Sequence, residues 1–82
     1  MKIVWDEQKR QTNLAKHGMD FASLTVEFFE TARIKDTRIG RYLAVGELEG
    51  VAIIAVVFRP LGSEALSVIS MRRASKTERN RS

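Results

Sequence analysis

The first part of the chain reads as a short strand followed by a weakly amphipathic helix. Lys2 to Trp5 is mostly apolar and predicts a strand. A helix is predicted from an Asp6 N-cap to about His17. Gly18 would end it, because glycine readily adopts the left-handed conformation that closes many helices. Leu14 and Ala15 are its main apolar anchors, so we expect it to lie on the surface.

A second helix is predicted to begin at Asp20, which again has the side chain of a helix cap. Phe21, Leu24 and Phe28 recur at helical spacing and form one apolar stripe. This helix should therefore be the main helical contributor to the core.

After residue 32 the pattern changes to strands separated by turns. The predicted strands are a polar edge strand over Arg33 to Thr37, a strand over Arg41 to Leu48, a continuously apolar central strand over Val51 to Phe58, and a last strand over Ala65 to Met71. Turn or loop signals separate them at Ile39-Gly40, Glu49-Gly50 and Pro60 to Ser63.

Residues 75–78, Ser-Lys-Thr-Glu, have the form of a capping box and predict a short C-terminal helix. The predicted order is β-α-α-β-β-β-β-α. Hairpin-length connections favour a mostly antiparallel sheet of four to five strands, with the helices packed on one face. We expect residues 1–82 to form a single α+β domain.

The net charge of +4 is concentrated in the last eleven residues, which carry five cations and one acid. The other residues balance to zero. Because an apolar strand ending at Met71 leads directly into this segment, the cations should lie at a fixed place on the surface. This arrangement favours a polyanionic ligand such as RNA.

Several classes of protein are disfavoured by composition. The chain has no cysteine and one histidine, so neither a disulfide framework nor a transition-metal site is expected, and no cofactor is predicted. The longest apolar run, Val51 to Phe58, is far shorter than the roughly 20 residues that span a bilayer. No signal peptide is evident, and we expect a cytoplasmic protein without membrane association.

Three blocks in the same order resemble the BrnT-type toxins. They are Trp5-Asp6-x-x-Lys9-x-x-x-Asn13-x-x-Lys16-His17-Gly18 followed by Phe21, then Phe58-Arg59-Pro60-Leu61-Gly62-Ser63-Glu64-Ala65, then Val68-Ile69-Ser70-Met71-Arg72-x-Ala74-x-x-x-Glu78-Arg79. The resemblance implies a bacterial type II toxin with a small RelE-like fold. Such a toxin is a ribonuclease that inhibits translation, is held inactive by a cognate BrnA-type antitoxin, and meets operator DNA indirectly through that antitoxin.

RNA can be cut without a metal if a base removes the 2′-OH proton, cations stabilise the phosphorane and an acid protonates the leaving oxygen. Arg72, at the end of the last strand, is the first candidate for phosphate stabilisation, and Arg59 is the second. Glu78 could be a general base or only the third residue of the capping box. His17 could transfer protons or only complement the negative end of its helix.

Candidate RNA-binding residues lie in the same blocks. One face of the first helix, which is either a wall of an RNA groove or a solvated surface, carries Lys9, Asn13, Lys16 and His17. Trp5 could stack on a base, although packing in the core is the commoner role of a lone tryptophan. Arg79 is a further candidate from the third block. The alternatives to a ribonuclease are a non-catalytic basic module that binds nucleic acid and a module that only docks an acidic partner.

Overall fold

A computed structural model describes residues 1–50 and 52–80. The elements in this part of the chain are β1 (Lys2–Trp5), α1 (Glu7–His17), a short 3₁₀-helix (Phe21–Ser23), α2 (Val26–Thr31), β2 (Arg33–Arg38), β3 (Arg41–Leu48), β4 (Ala52–Leu61), β5 (Ala65–Arg73) and α3 (Lys76–Asn80). The predicted order of strands and helices is confirmed. Val51, where the central strand was predicted to begin, lies outside the described residues.

The strands form a five-stranded sheet in the order β1-β5-β4-β3-β2. The pairings β2–β3, β3–β4 and β4–β5 are antiparallel, as predicted for a mostly antiparallel sheet. The pairing of β1 with β5 is parallel, with Lys2 opposite Ala65 and Trp5 opposite Val68. This parallel pair places the first strand beside the last one, so that α1 also lies beside β5.

One face of the sheet packs against the helices that precede β2. Its buried cluster includes Ile54, Val56 and Met71 from the central strands. The predicted stripe is confirmed as part of this core, since Phe21, Leu24 and Phe28 are all buried.

The stripe does not form one continuous helix, as was predicted. Asp20 caps only the 3₁₀-helix by accepting from the backbone N–H of Ala22, and Leu24 is already extended. Thr25 then provides a second cap, because its hydroxyl accepts from the backbone N–H of Phe28 at 3.1 Å. Two closely spaced caps therefore divide the segment into two short helices.

The predicted anchors of α1 are wrong. Leu14 is 39% exposed and Ala15 is also exposed, whereas Asn13 is only 6% exposed. Asn13 is buried because its amide hydrogen-bonds to the backbone of β5, so α1 docks on the sheet through a polar side chain.

The loop predicted over Pro60 to Ser63 begins too early, because β4 continues to Leu61. Pro60 lies opposite Leu66 of β5. On the other side of β4, the pairing with β3 ends at Tyr42 opposite Phe58, so the last residues of β4 extend beyond the paired part of β3. Proline is tolerated there because no partner strand requires its missing N–H.

The opposite side of the sheet, here called the open face, carries a smaller apolar cluster of Leu43, Val45 and Ala55. Ala74 packs against this cluster and leads into α3. The C-terminal helix therefore lies on the open face, which corrects the prediction that all helices pack on one side.

Candidate active site

The end of β5 carries an ion pair that joins the strand to α3. Arg72 Nη1 and Nη2 donate to the two carboxylate oxygens of Glu78 at 2.8 and 3.0 Å. The capping box predicted for residues 75–78 is present: Ser75 N donates to Glu78 Oε1 at 2.7 Å, and Glu78 N donates to Ser75 Oγ at 3.2 Å. The same carboxylate therefore caps the helix and holds the arginine.

These contacts change the acidity of Glu78. Hydrogen bonds from the Arg72 guanidinium, and then from the backbone N–H of Ser75, lower the pKa of the Glu78 carboxyl from 4.5 to about 2. The hydrogen bond to Glu78 in turn raises the pKa of Arg72. A carboxylate that is so weakly basic and is already bonded at both oxygens is a poor proton acceptor. The geometry favours Glu78 as the residue that orients Arg72.

Arg72 keeps hydrogen-bonding capacity for a ligand. Its side chain is 40% exposed. Nη1 also donates to the backbone carbonyl of Arg73 at 3.2 Å. A guanidinium has five N–H donors, so the side formed by Nε–H and the second Nη2–H makes no hydrogen bond to any described residue. That side has the fork geometry that matches two phosphate oxygens.

A second arginine holds α3, and the sequence did not single it out. Arg33 Nη2, from the edge strand β2, donates to the backbone carbonyl of Glu78 at 2.9 Å. Arg33 lies opposite Val45 in the β2–β3 register, which places it on the open face beside α3. Only this register brings Arg33 to Glu78, and sequence spacing contains no signal for it.

Asn13 fixes the position of α1 along β5. Its Nδ2 donates to the carbonyl of Met71 at 2.9 Å, and its Oδ1 accepts from the N–H of Met71 at 3.0 Å. A third bond joins Nδ2 to the carbonyl of Met19 at 3.2 Å. Because Met71 directly precedes Arg72, the contact sets α1 in register with the arginine.

His17 and Lys16 lie in the last turn of α1 and are exposed. Gly18 ends the helix in the left-handed conformation (φ 69°), as predicted. His17 is one turn beyond Asn13, on the row of side chains that borders β5. Neither side chain hydrogen-bonds to another described residue, which leaves both available to a ligand.

A second cluster of cations lies further along the sheet. Lys9 from α1, Arg41 from β3 and Arg59 from β4 line a cavity of about 220 Å³ together with Asp6 and Ser67. We call this the cationic pocket. Lys9 and Arg59 were both predicted as site residues and the structure brings them together. Arg41 was missed, because its place beside Arg59 depends on the β3–β4 register.

In the described part of the chain, neither Trp5 nor Arg79 lines the cationic pocket or hydrogen-bonds to Arg72. The Trp5 ring meets Phe21 edge-on, with 6.3 Å between ring centroids, and its Nε1 donates to Glu7 Oε1 at 3.3 Å. This geometry supports packing more than stacking on a base. Arg79 is exposed on α3 and borders a shallow groove with Arg33 and Glu47.

Comparison with known proteins identifies the family. Residues 5–78 match the family model described as ribonuclease toxin, BrnT, of type II toxin-antitoxin system. The chain belongs to the BrnT family. The match spans Arg72, Glu78 and all of the cationic pocket, while Arg79 lies just beyond it.

A solved BrnT structure agrees with this assignment. The crystal structure of the Brucella abortus ribonuclease toxin BrnT is 63% identical to this chain and superposes with a TM-score of 0.88. The alignment covers 93% of this chain and 99% of the Brucella protein. The comparison with curated proteins gives no match. The α+β fold described above is thus the BrnT fold.

Two further observations bear on this BrnT-family chain. Among residues 1–50 and 52–80, no three histidine or acidic side chains come together as a group that could hold a metal ion. In the same part of the chain, no helix combines the length and the apolar character needed to cross a bilayer.

Proposed function

We propose that this BrnT-family chain is a metal-independent endoribonuclease of the cytoplasm that inhibits translation. The observation that carries the proposal is Arg72, fixed near the end of β5, with the Nε side of its guanidinium making no hydrogen bond within residues 1–50 and 52–80. Preorganised donors of this kind stabilise the charge that develops on a phosphorane without reorganising during the reaction.

In the proposed mechanism each residue has a separate task. Arg72 stabilises the phosphorane, and Glu78 holds Arg72 in place. His17 transfers protons to or from the reacting ribose and the leaving oxygen, because Glu78 is already bonded to Arg72 and Ser75. Arg59 contributes to holding the RNA backbone, and Lys9, Lys16 and Arg79 extend the basic surface.

A cleavage assay tests the enzymatic part of the proposal. The purified protein should cut single-stranded RNA, with the same products in EDTA. Arg72→Ala should abolish cutting, because one preorganised donor to a developing oxyanion is typically worth a factor of about 10²–10³ in rate. Arg38→Ala is the matched control, since it removes an equal charge from the end of β2. Equal activity of Arg72→Ala and the control would refute the assignment of Arg72.

Expression in cells tests the toxin part. We expect growth arrest and a fall in protein synthesis when the chain is expressed alone, and recovery when a BrnA-type antitoxin is co-expressed. We further propose that the toxin–antitoxin complex represses its own operon, with the antitoxin making most contacts to operator DNA. Arrest in the absence of any partner would exclude docking as the only role.

The second candidate function is non-catalytic RNA binding. The low pKa of Glu78 favours it, because this acid is unsuited to proton transfer and His17 must serve alone. RNA incubated with the protein and run on a denaturing gel distinguishes the two functions. A pure binder would shift RNA on a native gel and leave it intact on the denaturing one.

A further inference from the structure

The cationic pocket contains more positive charge than its surroundings balance. Its three cations come from three different elements, and none of them pairs with a carboxylate among the described residues. The one acid in the lining is Asp6. Its Oδ1 already accepts from the backbone N–H groups of Gln8 and Lys9 as the cap of α1.

Such convergence of like charges is unfavourable unless an anion is bound. Lys9, Arg41 and Arg59 repel one another in a cavity of about 220 Å³, and an anion would convert that repulsion into charge-assisted hydrogen bonds. The hydroxyl of Ser67 adds a neutral donor to the lining. Two arginines, a lysine and a hydroxyl suit the tetrahedral oxygens of a phosphate.

The local sheet geometry explains why the pocket forms here. The β4–β5 register shifts between Val57 and Phe58, so that β5 contains an extra residue at Ile69. Ile69 and Ser67 both line the pocket. A bulge bends its strand and re-aims nearby side chains, which opens space between β5 and the start of α1.

We propose that the cationic pocket binds an internal phosphate of the RNA backbone, separate from the phosphate at Arg72. Arg59 and Arg72 lie on the same face of adjacent strands, and Arg72 is opposite Ala55. Arg59 lies four positions beyond Ala55 on β4, which corresponds to about 13 Å along the strand. The pocket would therefore anchor the substrate away from the cut bond. This inference rests on the proposed ribonuclease function.

The test uses an RNA that cannot be cut, so that binding is measured independently of catalysis. The ligand is a fluorescent single-stranded 2′-O-methyl oligonucleotide with a 5′-hydroxyl, titrated with the full chain over a series of salt concentrations. Arg41→Ala should weaken binding and reduce the slope of log K against log salt by about 0.7, as expected for one lost phosphate contact to a single strand. Lys35→Ala removes the same charge from an exposed position of β2 that does not line the pocket, and it should keep the parental slope.

Kinetics with a cleavable RNA give a second readout. Arg41→Ala should raise KM and leave kcat nearly unchanged, because the pocket binds ground state and transition state alike. Equal slopes for Arg41→Ala and Lys35→Ala would overturn the proposal. So would a dependence on Arg41 that appears only when the oligonucleotide carries a 5′-terminal phosphate, since the pocket would then hold a chain end. If the parent binds through Arg41 but cuts nothing, the pocket stands and the ribonuclease function fails.

Discussion

Asn13 hydrogen-bonds to the edge of β5 through one side chain, and β1 pairs with the same edge through its backbone. The pairing of β1 with β5 ends at Trp5 opposite Val68, and three residues later the exposed edge of β5 presents the N–H and C=O of Met71. The Asn13 amide satisfies both groups, as a neighbouring strand would. Asn13, predicted to lie either on a wall of an RNA groove or on a solvated surface, is thus a buried structural contact.

This role predicts that Asn13→Ala destabilises the fold. The substitution leaves the buried backbone groups of Met71 without partners, at a cost of about 1–3 kcal/mol. For a domain of this size each kcal/mol lowers the melting temperature by about 4–8 °C. Thr12→Ala, at the exposed neighbouring position, is the control and should melt near the parent. Equal melting temperatures of the two variants would show that the Asn13 amide contacts contribute little to the stability of the fold.

The pKa of Glu78 predicts a pH-dependent contribution to stability. The folded pKa of about 2 is below the ordinary value of 4.5, so the ion pair with Arg72 stabilises the protein fully above pH 4.5 and is lost as the pH falls toward 2. The stability difference between the parent and Glu78→Gln should be constant from neutral pH to about 4.5 and should then shrink. Urea unfolding over this range measures it. A stability difference that stayed constant below pH 4.5 would contradict this account of the Glu78 carboxyl.

At the scale of elements, α3 is held by local contacts rather than by a core. It has five residues, none of them buried, and it depends on the capping box and on the Arg33 and Arg72 contacts. Ser75→Ala removes the hydroxyl that accepts from Glu78 N, which typically costs about 0.5–2 kcal/mol. Because α3 can unfold while the sheet stays folded, the loss of stability should be confined to α3.

Hydrogen exchange tests that expectation. Ser75→Ala should speed exchange of the Glu78 and Arg79 amides, while the melting temperature stays close to that of the parent. Thr77→Ala is the matched control, since its side chain makes no hydrogen bond among the described residues. Unchanged exchange in Ser75→Ala would mean that the two arginines hold α3 without the cap.

The sequence predicted what depends on local pattern and missed what depends on register. Strand order along the chain, the burial of Phe21 and Phe28, and the capping box all follow from spacing over a few residues. The positions of Arg33 and Arg41 depend on the pairing of β2 with β3 and of β3 with β4, where partners are distant in sequence. Sequence spacing therefore could not predict them. The division of the second helix has a different cause. Thr25 is a second N-cap, which competes with Asp20 as the start of a helix.

At the scale of the whole molecule, the two faces of the sheet differ: one packs against helices, and the other carries the candidate RNA-binding arginines. The helices before β2 bury one face, while Arg59 and Arg72 share the open face. The start of α1 reaches round the edge of β5 and adds Lys9 to the cationic pocket. The proposed substrate would therefore lie along the open face, from the pocket to the end of β5.

This geometry predicts a dependence on RNA length. A dinucleotide can reach only one of the two phosphate sites, which are about 13 Å apart along β4, whereas a hexanucleotide can reach both. The kcat/KM of the parent should rise across a series from dinucleotide to hexanucleotide and then level off, because binding to the pocket adds to binding at Arg72.

The Arg41→Ala variant should lose most of this rise, and Lys35→Ala should retain it, since only the former changes the pocket. Cleavage rates measured with both variants on the same oligonucleotides separate a specific second site from a general loss of charge. If kcat/KM rose equally in the two variants, the gain with length would come from the diffuse positive charge of the molecule, because that charge falls by the same amount in both.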